Sequence, residues 1–341
     1  MRITDPFDFD RAWAQIKDAL VYINTENAGK ADFGAAYRTC YLIVTQKRGE
    51  EFYERIKEFE ERWLAERVIP AIRELITQNL VAITLYKEPA ASITERRITG
   101  EKFLNGIKKS WETYNTAMGV TADLLMYLDR SFCQERPSLY KVTTGLYRDH
   151  VLGAPLPLEA LRTGNISETF LTILNAVIID QINIERDGDI IDRDLIRQCL
   201  SILEVLYKTD AEVEDERLYL TSFEPIFLES SREFYRQECK RLLHDFDARA
   251  WLHHCRRRLA EEADRCNTTI PQRTWHKINE VVEEQLVVAH QDNSLAMEGS
   301  GLKAIIDRNS AKDLPISYQL ISQVDTVEIE ENPKNNTGCK R

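Results

Sequence analysis

Residues 116–130 read TAMGVTADLLMYLDR, a run with no proline and one glycine whose apolar positions recur at helical spacing. On a helix, Met118, Thr121, Leu125, Leu128 and then Phe132 share one face, the 3/4 stripe that a core-facing helix needs. The same wheel points Tyr127 almost directly away from that stripe, with Asp123 and Arg130 beside it. A helix whose core face is already complete thus carries an aromatic between two charges on its back.

The pattern repeats along the chain. Phe9, Trp13, Ile16, Leu20 and Ile23 predict a helix over about 8–23. A second opens at Asp32, a residue suited to an N-cap, and runs to Lys47 with Gly49 just past its end. Trp63, Leu64, Val68, Ile72, Leu75 and Ile76 predict helical core broken or kinked near Pro70. Residues 86–101 lack sustained periodicity and read as a loop, followed by one long helix from Lys102 to Phe132. Further helices are predicted near 137–151, 167–185, 191–207, 222–245, 248–267 and 272–291, with a break at GAPLP (153–157) and loops at 185–189 and 209–216. With only 13 glycines and 10 prolines among 341 residues, sharp turns are few. The fold class is all-α, and helical units that succeed one another without a Gly- or Ser-rich linker suggest an α-solenoid.

A formal charge of −11 argues against a nucleic-acid partner reached by phosphate neutralisation. The basic run Arg256–Arg258 is followed at once by Glu261, Glu262 and Asp264, the pattern of a solvated helix face. No stretch has the roughly 20 apolar residues of a bilayer span, and the start MRITDPFDFD has no apolar signal core, so neither membrane insertion nor export is expected. Cys40, Cys133, Cys199, Cys239, Cys255, Cys266 and Cys339 lack pair spacing and read as reduced thiols, which places the chain in the cytoplasm and nucleus.

Motifs for chemistry are missing. No glycine-rich phosphate loop occurs, and MEGSGL (297–302) reads as a turn between packed helices. His253, His254, Cys255, Cys266 and His276 lack the paired spacing of a zinc site, and ERDGDIIDRD (185–194) lacks the ligand order of a calcium loop. No cofactor, metal or catalytic residue is expected, and the chain reads as a non-enzyme.

What remains is surface aromatics. Phe33, Tyr37 and Tyr41 recur at i, i+4 and i+8, while Ala36, Cys40 and Ile43 form a second apolar stripe on the adjoining face. Two helices with a surplus of tyrosine beside charge predict an interaction patch within the first 135 residues, because Tyr and Arg are enriched at binding hot spots.

These same stretches carry a resemblance. TAMGVTADLLMYLDR resembles the fifth helix of the first cullin repeat, and FGAAYRTCYLIVTQKRGE resembles that family's second-helix element F-x-x-x-Y-R-x-x-Y. ERDGDIIDRDLIRQC, FEPIFLESSREFYRQE and MEGSGLKAII are similar to further cullin signatures in the same order, over residues 1–325. Within the family the pattern looks most like the cullin-3 branch. The resemblance implies an elongated solenoid of stacked five-helix repeats: a first repeat with a short N-terminal extension over 1–136, a second over 137–247, an incomplete third over 248–325, and a polar, disordered tail over 326–341. It implies the scaffold of a ubiquitin ligase that binds BTB-domain substrate adaptors through Phe33, Tyr37, Arg38, Tyr41, Asp123, Tyr127 and Arg130, with Met1–Phe7 as a short hydrophobic hook. Ala31 and Asp32 depart from the apolar residue and serine common in that branch. No neddylation motif of the IVRIMK type occurs, so no RING subunit is expected on this chain, which reads either as a truncated product or as a short form acting as a decoy. Self-association or disorder is expected from about residue 290, and dimeric adaptors would bring two chains together. The alternative is a helical tethering scaffold unrelated to ubiquitin.

Overall fold

The computed structural model describes residues 7–88, 92–157, 168–242 and 248–286. The expectations for Met1–Asp5 and Pro6 of the hook, for MEGSGL and for everything from residue 290 onward lie outside these residues. Among the described residues the only β-type pairings are the isolated bridges Pro155–Thr169 and Tyr207–Arg217, so the fold is all-α. No helix among them is long and apolar enough to cross a membrane. Two compact units divide at Phe223 and Glu224.

The first unit opens with α1 (Phe9–Asn24), whose Asp8 cap accepts a hydrogen bond from Arg11 N at 3.1 Å. Helix α2 (Phe33–Thr45) follows a cap at Asp32, which accepts from Ala35 N at 2.9 Å. It stops earlier than Lys47, because Lys47 turns to φ +60° and ends the helix. Gly49 is therefore not a terminator. It is the first residue of α3 (Gly49–Trp63) and lies buried under Phe132, whose Cδ2 would be 2.8 Å from any Cβ placed there.

Helix α3 passes into a π-turn at Leu64–Val68 and then α4 (Ile69–Arg73). The irregularity thus precedes Pro70 rather than sitting on it. Ile69 N donates back to Leu64 O, a widened turn that delivers the chain to a proline lacking an N–H of its own. Helix α5 (Gln78–Thr84) is capped by Thr77.

The segment read as a loop over 86–101 is largely helix. Helix α6 (Ile93–Leu124) begins at Ser92, whose Oγ accepts from Glu95 N at 3.1 Å. Its first turns expose Ile93 and Ile98 and so show no core stripe, which hides them from a periodicity reading. At 32 residues, about 48 Å long, α6 is the spine of this unit. It packs against α1, α2, α4, α5, α7 (Met126–Ser131), α8 (Leu139–Leu146), α9 (Phe170–Arg186) and α10 (Arg193–Val205). Phe103, Leu104, Ile107 and Met118 face that surround with almost no exposure. Helix α8 runs on through a second π-turn at Tyr147–Leu152, and a third occupies Tyr219–Phe223.

In the second unit, α11 (Glu224–Leu242) and α12 (Ala248–Thr268) both pack on α13 (Trp275–Leu286). Tyr235, Cys239, Trp251, Cys255, Val282 and Leu286 form its apolar cluster. Charged groups are buried beside it: Arg258 reaches Glu238 and Glu261, and Arg265 and the Tyr235 hydroxyl both reach Glu262.

Candidate functional site

The predicted long helix is interrupted. Leu125 leaves helical geometry (φ −100°, ψ 16°), ending α6 and starting α7. Met118, Thr121, Leu125 and Leu128 are buried as their spacing implies, and Phe132 is half-buried. The break is held by tertiary contacts. Asp129 accepts from Leu139 N at 2.9 Å, and Phe132 sits over Gly49, 6.0 Å from the Tyr53 ring. Arg136 lies 4.9 Å over the Phe132 ring while gripping Glu50 with two 2.7 Å hydrogen bonds. The Tyr53 hydroxyl donates to Pro137 O at 3.1 Å. Helix α7 is thereby pinned to α3.

On α2 the two stripes separate as read. Ala36, Cys40 and Ile43 are buried, and Thr39 Oγ1 donates to Gln15 Oε1 of α1 at 2.9 Å, locking the inner face. Burial pushes the Cys40 thiol up to about 12, against a hydrogen bond at the Leu128 backbone, so this sulfur stays protonated and serves as packing. The outer face exposes Phe33 (37%), Tyr37 (39%) and Tyr41 (46%), enough area to meet a partner. Spaced at i, i+4 and i+8, they form a row about 12 Å long.

Tyr127 does not stand alone on the back of its helix. With the break at Leu125, its half-buried ring comes to 4.8 Å from that of Tyr41, tilted at 53°. Such a pair adds about 0.5–1.5 kcal/mol beyond area burial and joins α2 to α7. Phe33, Tyr37, Tyr41 and Tyr127 thus make one aromatic ridge. Arg38 is exposed on α2, Asp123 on the last turn of α6 and Arg130 on α7.

One residue escaped the sequence reading. Leu42 is 49% exposed beside Tyr41 and four residues from Arg38, outside the Ala36–Cys40–Ile43 stripe. Its apolar character on a wheel already supplied with a core face is the signal that marks it. The ridge offers apolar area and hydroxyl donors, suited to docking rather than bond chemistry. Among the described residues no group of three or more His, Cys, Asp or Glu side chains is placed to hold a metal ion. His254, Cys255 and Cys266 are buried in the second unit, and His253 and His276 are exposed.

Comparison with known proteins yields one consistent family. The family model described as the cullin alpha solenoid domain matches residues 13–332. Cullin-3A of Arabidopsis thaliana is 25% identical over 324 residues, covering 94% of this chain and 38% of its own length. Cullin-3 of Schizosaccharomyces pombe is 26% identical over 325 residues, covering 93% and 40%. Cullin-4A of Mus musculus is 27% identical over 326 residues, covering 95% and 36%. The chain therefore spans well under half the length of the curated relatives it matches.

Proposed function

Since the chain belongs to the cullin family, we propose that it is a scaffold segment of a cullin-RING ubiquitin ligase whose α2–α7 ridge captures a BTB-domain substrate adaptor. The observation that carries this reading is the Tyr41–Tyr127 contact, which unites the two helices bearing the resemblance into one exposed aromatic surface. Relatives named Cullin-3 from Arabidopsis thaliana and Schizosaccharomyces pombe favour that branch. Phe33, Tyr37, Tyr41 and Tyr127 insert as anchors, Tyr127 also bracing Tyr41, and Arg38, Asp123 and Arg130 orient the partner through charge. The scaffold performs no catalysis, takes no cofactor and holds no RING subunit through these residues. Its repeats divide at 136/137 and 247/248, and dimeric adaptors bring two chains together. The buried free thiols suit the reducing cytoplasm and nucleus.

The test is capture of this chain by an immobilised BTB-domain protein. Joint substitution Tyr37→Ala and Tyr127→Ala removes two anchors worth about 2–4 kcal/mol each at an interface of ordinary size, and abolishes capture. Helical content stays unchanged, since neither side chain belongs to the buried core. Capture that survives the double substitution overturns the assignment.

A further inference from the structure

Away from the ridge, the first unit contains a cleft of about 430 Å³ between the end of α1, the π-turn at Leu64–Val68 and the middle of α6. This is within the size range of small-molecule sites, about 300–1,000 Å³. Its wall is apolar, made by Trp63, Val68, Ile72 and Leu75, with Gly106 beneath Leu75. Its polar floor is already engaged. Asn24 Nδ2 donates to Leu20 O at 3.2 Å and to Glu60 Oε1 at 3.1 Å, and the Tyr114 hydroxyl donates to Thr143 O at 3.1 Å. The interior therefore favours an apolar body over a polar one.

The rim is different. Arg67 and Lys109 both line the opening and are exposed, and among the described residues neither forms an ion pair with a carboxylate. Arg67 lies 6.0 Å over the Trp63 ring, its guanidinium edge left to other acceptors. The one acid on the lining, Glu26, accepts from Thr113 Oγ1 at 2.9 Å. Two cations without a carboxylate partner thus stand over an apolar cavity. Arg67 and Val68 come to the cleft from the π-turn and Lys109 from the middle of α6.

We infer that this cleft is a binding site for a small carboxylate with an apolar body, the body against Trp63, Ile72 and Leu75 and the carboxylate between Arg67 and Lys109. The site is separate from the aromatic ridge and does not rest on the adaptor reading.

Calorimetric titration of the full chain with 2-naphthoate tests it. Saturable binding at one site is expected, with a dissociation constant of about 1 mM or tighter for a ligand of this size. Arg67→Gln with Lys109→Gln weakens it about tenfold or more, since charge-assisted hydrogen bonds are lost. Both side chains are exposed, so the melting temperature stays put. Ala71→Trp, at an exposed lining position, fills the cleft and removes binding altogether. The uncharged 2-naphthamide binds the unsubstituted chain no better than 2-naphthoate binds the double variant. The inference is overturned by absence of saturable 2-naphthoate binding, by equal affinity for acid and amide, or by tighter binding of 2-naphthylmethylammonium.

Discussion

In the first unit Glu60 is fully buried with one amide for company, whereas in the second Glu238 and Glu262 are buried against arginines. Burial pushes Glu60 up to about 8, the Asn24 hydrogen bond pulling only weakly the other way, and its Oε2 has no hydrogen-bond partner. At neutral pH it is held mostly as the uncharged acid. Burial acts on Glu238 in the same direction, yet His254, whose Nε2 lies 3.4 Å away, and Arg258 outweigh it and leave this carboxyl below its ordinary value. Two solutions to one problem coexist in one chain: remove the charge, or match it. They predict opposite responses to pH and to mutation.

The largest effect falls where matching is undone. Arg265→Met leaves Glu262 buried without its cation and should cost about 3–5 kcal/mol, read as a lower urea midpoint. A loss under about 1 kcal/mol would show that Glu262 also sheds its charge, and the contrast between units would disappear. Glu60→Gln tests the other solution. A carboxyl raised from about 4.5 to about 8 contributes its full stability below pH 4.5 and loses it as pH rises toward 8, by about 1.4 kcal/mol per pH unit. The glutamine variant should match the parent near pH 4.5 and become progressively more stable above it. Parallel stability curves would mean that Glu60 ionises freely in the fold.

Glu238→Gln should behave in reverse. Its lowered carboxyl contributes stability above its unfolded value and loses it as pH falls through the folded one, so the variant is weaker at neutral pH by about 1–3 kcal/mol and indistinguishable in acid. The smallest effect is geometric. Gly49→Ala forces Phe132 aside for about 1 kcal/mol, observable as a modest fall in melting temperature and a shift of the Tyr127 ring signals. No change at all would mean that the Phe132 brace does not position α7.

Sequence periodicity exposed the parts of this fold that depend on a single buried stripe. Ile16, Leu20 and Ile23 on α1, and Ala36, Cys40 and Ile43 on α2, are buried where their spacing put them. It failed where the cause is distant in sequence. Nothing local in LLMYL announces a break at Leu125, because its stabilising bonds come from Leu139 and from the Gly49–Phe132 contact. The start of α6 was hidden for the opposite reason, its early isoleucines facing solvent. The ridge was half legible. The row Phe33, Tyr37 and Tyr41 was visible in its spacing, but the Tyr41–Tyr127 contact depends on that unannounced break. The cleft left no trace in sequence, since a π-turn has no motif and uncommitted cations look like any others.

That π-turn carries a consequence for how the chain tolerates length changes. Each such turn holds one residue more than an α-helix needs, so removing a residue from Leu64–Val68 would restore regular winding without shortening the path to α4 by a full turn. Downstream side chains would keep their faces, because the widened turn absorbs the extra residue locally. Ile72 would stay on its buried face, while Arg67 and Val68, inside the turn, would shift at the cleft. The segment is therefore a point where a single-codon deletion keeps the helix and its buried face and changes only what the turn presents.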